Sequence, residues 1–389
     1  MARRIYYNVH THVFSKHCIP HGIMGSGFGL IIKALEFIQM NNFVIALLSG
    51  LKILNVSKSS IPRLKMFFRS FAQGHQHEVI THLVRDQYGK FAYDKNFKFV
   101  LLSLDMDAQD AGIAPVNYLN QVGELAEYKA IKPYKDQIIP FLSINPYNMI
   151  YHRFHMMKFI KDHIEVWKFG GIKLYPATGY YPDDERLDDV WKYCVAKKLP
   201  IMTHCTCGRI HYRGKMESRL NKDKIPYNNL TDSDRQCNFT DMSHFVKILE
   251  RFPTLKICFA HAGGIVFSKN PRTTLEAELK VTPLSKRAIE YKWYLEVLEC
   301  CQKYDNVYID ISWINHDEIT LIELAKDVKA RSIEKKVLYG TDFFVNIDII
   351  EEQKAMENSQ KHFDFDLIAS VNPSIYLSSD IHEFKATEP

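Results

Sequence analysis

The sequence predicts an α/β protein in which eight parallel strands close into a (β/α)8 barrel, also called a TIM barrel. Short apolar runs alternate with segments of helical periodicity, and this alternation is typical of parallel βαβ units. Eight such units favour a closed barrel over an open sheet. No Gly-x-Gly-x-x-Gly motif follows the first run, which argues against a nucleotide-binding doubly wound sheet. The predicted strands cover residues 5–9, 97–104, 138–144, 171–175, 200–203, 256–260, 307–311 and 337–340.

Helical patterns separate the predicted strands, and we expect residues 1–389 to form a single barrel domain. Three connections at the carboxyl ends of strands are too long for plain turns: residues 13–96, 205–239 and 262–283. The first is predicted to be a mostly helical insertion. The predicted helices cover residues 116–132, 149–169, 187–198, 240–252, 284–304, 317–333 and 363–371.

The composition excludes several classes of protein. A formal net charge of +5 on 389 residues, without a block of one sign, gives no case for a nucleic-acid partner. Charged and polar residues interrupt the apolar segment 28–56, so we expect no membrane span there. We interpret this segment as an amphipathic helix that covers the barrel mouth or contacts another copy in a homo-oligomer. Eight scattered cysteines suit reduced thiols in a cytoplasmic protein.

Imidazoles and one carboxylate stand at the ends of several predicted strands. His10 and His12 are two residues apart, so they share one face of the first strand. His204 ends the fifth strand, His261 the sixth, and Asp342 the eighth. The carboxyl ends of barrel strands converge on one face, and a divalent metal is a common partner for groups buried there.

We predict that one divalent metal binds His10, His12, His204 and Asp342. Zn²⁺ is the expected ion, and Fe²⁺, Mn²⁺ or Co²⁺ would also suit these ligands. His261 is then free to act on the metal-bound water, as a general base or by orienting it.

Other charged residues surround the predicted centre. Asp105 ends the second strand and either contacts the substrate or begins a turn, whereas Asp107 fits a helix cap better. Asp310, at the end of the seventh strand, is interpreted as an acceptor that orients a histidine or as an ion-pair partner. Arg209 and Arg213, in the loop after the fifth strand, suit recognition of a carboxylate or phosphate, although such loops are commonly only solvated.

The order of the strand-end motifs resembles the amidohydrolase superfamily, in particular amidohydrolase family 2. The resemblance spans nearly the whole chain outside residues 13–96. It implies a distorted (β/α)8 barrel with a metal held by the same four ligands and with His261 beside the reactive water. The motifs are His-Thr-His at 10–12, Gly-Ile-Lys-Leu-Tyr-Pro at 171–176, Met-Thr-His-Cys at 202–205, Ala-His-Ala-Gly-Gly at 260–264, Tyr-Gly-Thr-Asp-Phe at 339–343 and Asn-Pro at 372–373.

The same resemblance leaves two roles open for Lys173. In two-metal members a lysine in this strand-four motif is carbamylated and bridges the metals. In one-metal members a lysine can stand there without bridging, and its cation would hold an anionic substrate. We favour one metal with Lys173 on the substrate, and keep a second metal with carbamylated Lys173 as the alternative.

Together these features predict a metal-dependent hydrolase that acts on a small anionic cyclic amide, lactone or ester through a metal-activated water. The predicted catalytic residues are His261, Asp342 and Lys173. One alternative is non-hydrolytic decarboxylation of an aromatic or unsaturated acid at the same site. A second alternative is a non-catalytic barrel subunit that docks through residues 28–56. The predicted substrate-binding residues are Lys173, Tyr175, Arg209, Arg213 and Asp105.

Overall fold

Eight parallel strands, hydrogen-bonded in sequence order, form the centre of the computed structural model. The predicted (β/α)8 architecture is therefore confirmed. The structure describes residues 3–20, 75–89, 96–132, 134–147, 155–207, 210–215, 220, 236–282, 284–343, 346 and 349–387. The strands are β1 (Tyr6–Thr11), β2 (Phe97–Leu102), β3 (Ile138–Ile144), β4 (Gly171–Leu174), β5 (Ile201–Thr203), β6 (Ile257–Phe259), β7 (Val307–Asp310) and β8 (Val337–Leu338).

The barrel closes where the chain beyond β8 meets β1. The amide of Val9 donates to the carbonyl of Tyr339 at 2.9 Å, and Thr11 forms a parallel bridge with Phe343. The pairing of β1 with β2 shifts register between Asn8 and Thr11. Such irregularities redirect side chains and are frequent beside active sites. Here the shift falls on the His10 segment.

Apolar side chains from seven of the eight strands form one buried cluster, which places it in the barrel interior. A larger cluster fills the layer between the strands and the surrounding helices. Gly171 makes room inside the barrel, because a Cβ there would lie 2.6 Å from the ring of Phe141. The interior is thus a packed core rather than a channel.

Helices alternate with the strands, and several begin at side-chain caps of the expected kind. Asn117, Ser285 and Asp317 each accept a hydrogen bond from the backbone amide three residues later. The helices are α1 (Gln76–Thr81), α2 (His82–Tyr88, a π-helix), α3 (Tyr118–Ala130), α4 (Met156–Lys161), α5 (Asp162–Val166, π), α6 (Asp188–Lys197), α7 (Cys237–Thr240), α8 (Met242–Arg251), α9 (Arg272–Glu278), α10 (Lys286–Lys303), α11 (Glu318–Ala330), α12 (Glu352–His362), α13 (Leu367–Val371, π) and α14 (Asn372–Leu377).

The last predicted helix, over residues 363–371, is wrong in its extent. The helix α12 was not predicted, and α13 passes directly into α14. Pro373 is the second residue of α14, and the residues of α13 before it are already helical. Asn372-Pro373 therefore lies within a continuous helical run rather than ending one.

Much of the predicted insertion at residues 13–96 lies outside the described residues, and so does the whole segment 28–56. The part from 75 to 89 contains α1 and α2, in agreement with a helical insertion. None of the helices in the described ranges combines the length and apolar character needed to cross a membrane.

A disulfide joins Cys207, in the loop after β5, to Cys237 at the start of α7. The expectation of eight reduced thiols is therefore wrong for this pair. The other six cysteines are free and buried, as expected.

Candidate metal centre

The first and eighth strands bring two imidazoles to one carboxylate. Nε2 of His10 and Nε2 of His12 each lie 3.4 Å from Oδ1 of Asp342. His261 approaches from the end of β6, with its ring centroid 4.9 Å from that of His10. The ligating atoms of His10, His261 and Asp342 all lie within 4.8 Å of one another. The predicted convergence of strand-end residues is thus present in the structure.

Burial keeps these imidazoles in their neutral form. It lowers the pKa of His10, His12 and His204 well below the usual value, and the nearby Lys173 and neighbouring histidines lower it further. A neutral imidazole offers a nitrogen lone pair, which is the form that binds metal ions. The cluster is therefore electronically suited to a cation.

The arrangement fits a divalent ion. Nε2 of His10 is buried and has no hydrogen-bond partner among the described residues. Its Nδ1 lies 2.8 Å from Asp310 Oδ2, and Nδ1 of His12 lies 3.0 Å from the carbonyl of Leu102. Such partners fix a ring so that Nε2 faces the ion, which is the usual support for a metal-binding histidine. Asp310 thus has the orienting contact expected from the sequence.

His204 lies beside the group formed by His10, His261 and Asp342 and is not part of it. Its ring stacks on Tyr175 with centroids 4.0 Å apart, and Nε2 lies 3.1 Å from Thr206 Oγ1. Its centroid is 5.4 Å from that of His261. The closest group, formed by His10, His261 and Asp342, therefore contains His261 and not His204, although the predicted ligand set contains His204.

Lys173 lies on β4 and is fully buried. Its Nζ has no hydrogen-bond partner within the described part of the chain, and it lies 5.9 Å from the centroid of Tyr175. Burial lowers the pKa of Lys173 to about 8, while the charges of Asp342 and Asp310 oppose that shift. The amine is thus available either as a cation for an anionic substrate or, when neutral, for carbamylation.

The remaining predicted substrate-binding residues differ in position. Asp105 is buried after β2, and burial together with Asp107 raises its pKa well above the usual value. Asp107 accepts from the backbone amide of Tyr118, the first residue of α3, as expected of a cap. Arg213 is exposed on the loop after β5. Arg209 lies outside the described residues.

Two neighbouring residues that were not predicted from the sequence also face the cluster. The hydroxyl of Ser312 contacts His10 and His261, and the Trp313 ring lies 6.2 Å from His261 in an edge-on arrangement. A strand end followed by Ser-Trp gave no chemical signal in the sequence. Both contacts depend on β7 lying between β6 and β8.

Backbone strain occurs at three residues of this site. The φ angles of His261, Trp313 and Asp342 are 60°, 59° and 58°, values that residues other than glycine rarely adopt. Such conformations cost about 1–3 kcal/mol each and cluster at functional sites. The strain thus coincides with the residues that converge on the predicted centre.

The sequence matches the family model Amidohydro_2, described as amidohydrolase, over residues 158–355. The match covers more than half of the chain, and the protein belongs to this family of metal-dependent enzymes. No curated protein matches the sequence.

Solved structures similar to this chain include proteins named as decarboxylases and one named as a probable hydrolase. 5-Carboxyvanillate decarboxylase LigW from Sphingomonas paucimobilis is 12% identical, with 97% of this chain and 99% of that chain covered and a TM-score of 0.47. A probable 2-pyrone-4,6-dicarboxylic acid hydrolase from Acinetobacter baumannii is 11% identical, with coverage of 96% and 98% and a TM-score of 0.49. 2,6-Dihydroxybenzoate decarboxylase from Rhizobium is 15% identical, with coverage of 97% and 99% and a TM-score of 0.44.

Proposed function

We propose that the protein is a metal-dependent hydrolase of a small anionic cyclic amide, lactone or ester. The observation that carries the proposal is the approach of His10 and His12 to one oxygen of Asp342, at 3.4 Å each, in a buried site. Three buried polar groups without an ion would be costly, and their chemistry matches a divalent cation.

In this proposal His10, His12, His204 and Asp342 hold one ion, and zinc is the expected metal. A divalent ion at this place supplies positive charge that acidifies a water molecule and polarises a carbonyl oxygen. The chain itself supplies rigid ligands, since Asp310 and the carbonyl of Leu102 fix the two rings of β1. The alternative with two ions uses a carbamylated Lys173.

The neighbouring side chains complete the reaction. His261 receives the water proton at Nε2, because its Nδ1 is occupied by contacts with Ser312. Lys173 holds the negative group of the substrate, since its buried Nζ has no other hydrogen-bond partner in the described ranges. Tyr175 and Asp105 line the substrate side in this proposal, and Arg209 and Arg213 contact the substrate from the loop after β5.

Decarboxylation of an aromatic acid is the second candidate. The observation that favours it is the pair of aromatic rings beside the imidazoles: Tyr175 stacks on His204 at 4.0 Å, and Trp313 meets His261 edge-on at 6.2 Å. Flat aromatic substrates stack well on such rings. Lys173 would then hold the carboxylate that leaves as carbon dioxide.

A panel of acidic substrates separates these reactions. Lactones, cyclic amides and aromatic acids are incubated with zinc-loaded protein, and ring opening and carbon dioxide release are measured in parallel. Ring opening or ester cleavage without carbon dioxide supports the hydrolase, whereas carbon dioxide release alone supports the decarboxylase. Lys173→Met is the control for turnover at this site, because it removes the proposed substrate contact. No turnover on the whole panel would favour the non-catalytic barrel.

A further inference from the structure

Ser312, just beyond β7, has a side chain that contacts the imidazole rings of both His10 and His261. Its Oγ lies 3.0 Å from Nδ1 of His10 and 2.8 Å from Nδ1 of His261. We propose that Ser312 is a positioning residue that holds both imidazoles as the Nδ1–H tautomer. The catalytic consequence of this positioning rests on the proposed function, whereas the tautomers do not depend on it.

A count of protons assigns the direction of each hydrogen bond. The hydroxyl of Ser312 has one proton, which it donates to Oδ1 of Asp310. The Oγ atom can then only accept from the two imidazole nitrogens. Each of those nitrogens must therefore carry its proton.

Two further contacts agree with this assignment. Nδ1 of His261 also lies 3.1 Å from the carbonyl oxygen of Ser312, and a carbonyl oxygen only accepts. Nδ1 of His10 lies 2.8 Å from Oδ2 of Asp310. The carboxylate is held in turn by the backbone amides of His261 and Ser312, each 3.0 Å from Oδ1. Asp310 and Ser312 thus form one acceptor unit for two rings from different strands.

This assignment leaves the Nε2 lone pair of both rings directed away from β7. For His10 that atom lies 3.4 Å from Asp342 Oδ1, where the proposed ion would lie. For His261, Nε2 is the atom that takes a proton in the proposed reaction. The hydroxyl group of Ser312 therefore orients both His10, the proposed ligand, and His261, the proposed base.

Gly340 allows this close packing. A Cβ at residue 340 would lie 2.7 Å from Cβ of His10 and 3.2 Å from Cβ of Ser312. A larger residue there would push the two side chains apart. The hydrogen bond between Ser312 and His10 therefore depends on a glycine after β8.

Histidine-selective ¹⁵N NMR of the full-length, chelator-treated protein measures the tautomers directly. Signals are assigned with His10→Gln and His261→Gln. The proposal predicts a protonated Nδ1 and an unprotonated Nε2 for both rings. An Nε2–H tautomer at either ring in the wild-type protein would overturn it, and this measurement requires no Ser312 variant to fold.

Zinc titration of Ser312 variants provides the second readout. Ser312→Ala should weaken zinc affinity roughly tenfold, as losing a support of a metal ligand commonly does, and Ser312→Thr should restore it to within about threefold. Ser370→Ala is the matched control, because Ser370 is a fully buried serine whose hydroxyl lies 2.6 Å from Ile5 O and 3.1 Å from Ala386 O, away from the site. Unchanged affinity in Ser312→Ala would contradict the proposal. If the wild type bound no zinc but showed both predicted tautomers, only the proposed function would fail.

Discussion

Nε2 of His12 lies 3.4 Å from Oδ1 of Asp342, and this contact joins the two strands that close the barrel. His12 directly follows β1 and Asp342 follows β8, so the candidate centre exists only when the barrel is closed. An ion bound by both residues would bind the folded chain and not the unfolded one. Metal binding and folding should therefore be linked in this protein.

The roles of His204 and His261 can be separated by substitution. His204→Gln should lose bound zinc, whereas His261→Gln should retain about one equivalent and lose turnover by roughly 10²–10⁴-fold, as expected for a general base. Metal analysis after dialysis and a turnover assay measure the two effects. His163→Gln is the control, because His163 contacts Phe159 on an outer helix. Loss of zinc in His261→Gln would make His261 a ligand, as its position near His10 and Asp342 would permit.

Replacing Lys173 should affect activity far more than stability. Lys173→Met removes a buried amine without a hydrogen-bond partner in the described structure, so the free energy of unfolding should change by less than about 1 kcal/mol or rise. Turnover should fall at least about 100-fold, because a charged contact to substrate is worth roughly 3 kcal/mol.

Lys256→Met is the matched comparison. Lys256 donates to the carbonyls of Ile375 and Ser378, and burial likewise lowers its pKa to about 8. Its loss should cost about 1–3 kcal/mol of stability and leave turnover unchanged. A Lys173→Met protein with normal turnover would rule out the proposed substrate contact.

Stability of the metal-free protein should fall below about pH 6.5, the ordinary histidine pKa. In the folded chain the pKa of His10, His12 and His204 lies well below that value because these rings are buried. Unfolded chains therefore bind protons in this range while folded chains do not. Each such histidine adds up to about 1.4 kcal/mol per pH unit to the slope of unfolding free energy.

Urea unfolding between pH 5.5 and 7.5 in the presence of chelator measures this slope. The contribution of the neutral His10, His12 and His204 to the free energy of unfolding should be fully present above about pH 6.5 and should be lost as the pH falls. His12→Asn should show a shallower slope than the wild type. A stability that does not change below pH 6.5 would show that the imidazoles are not held neutral.

The Cys207–Cys237 disulfide should be detectable chemically. Denatured protein without reductant should have six reactive thiols, and reduction should increase the number to eight. A crosslink closing about 30 residues restricts the unfolded chain, so Cys237→Ala should lower the free energy of unfolding by about 3–4 kcal/mol. Cys194→Ala is the control, because Cys194 is a free buried thiol. Eight reactive thiols before reduction would contradict the pairing.

Local patterns were sufficient to predict the barrel and most of the converging residues. The spacing of His10 and His12 and the strand ends at His261 and Asp342 already placed these groups on one face. Each prediction needed only strand periodicity and the rule that barrel strands end together.

Features that depend on contacts between distant segments were not predictable in this way. The contacts of Ser312 with His10 and His261 exist only because β7 lies between β6 and β8. The partner of Cys207 is 30 residues away in the sequence, and no local pattern indicates it. α12 was missed because its residues carry few apolar side chains, so the sequence shows no apolar helical face there. Asn372-Pro373 was predicted to end a helix, whereas helical residues continue on both sides of it.

Metal content of the wild-type protein and of Asp342→Asn, measured after dialysis against excess zinc and then metal-free buffer, tests the central claim most directly. Asp366→Asn is the control, because Asp366 is a surface carboxylate paired with Arg4. The account predicts about one equivalent of zinc in the wild type and in Asp366→Asn, and little in Asp342→Asn. Two equivalents with a modified Lys173 would replace the one-metal centre by the two-metal alternative. Less than half an equivalent in the wild type, or full retention in Asp342→Asn, would contradict the proposed site.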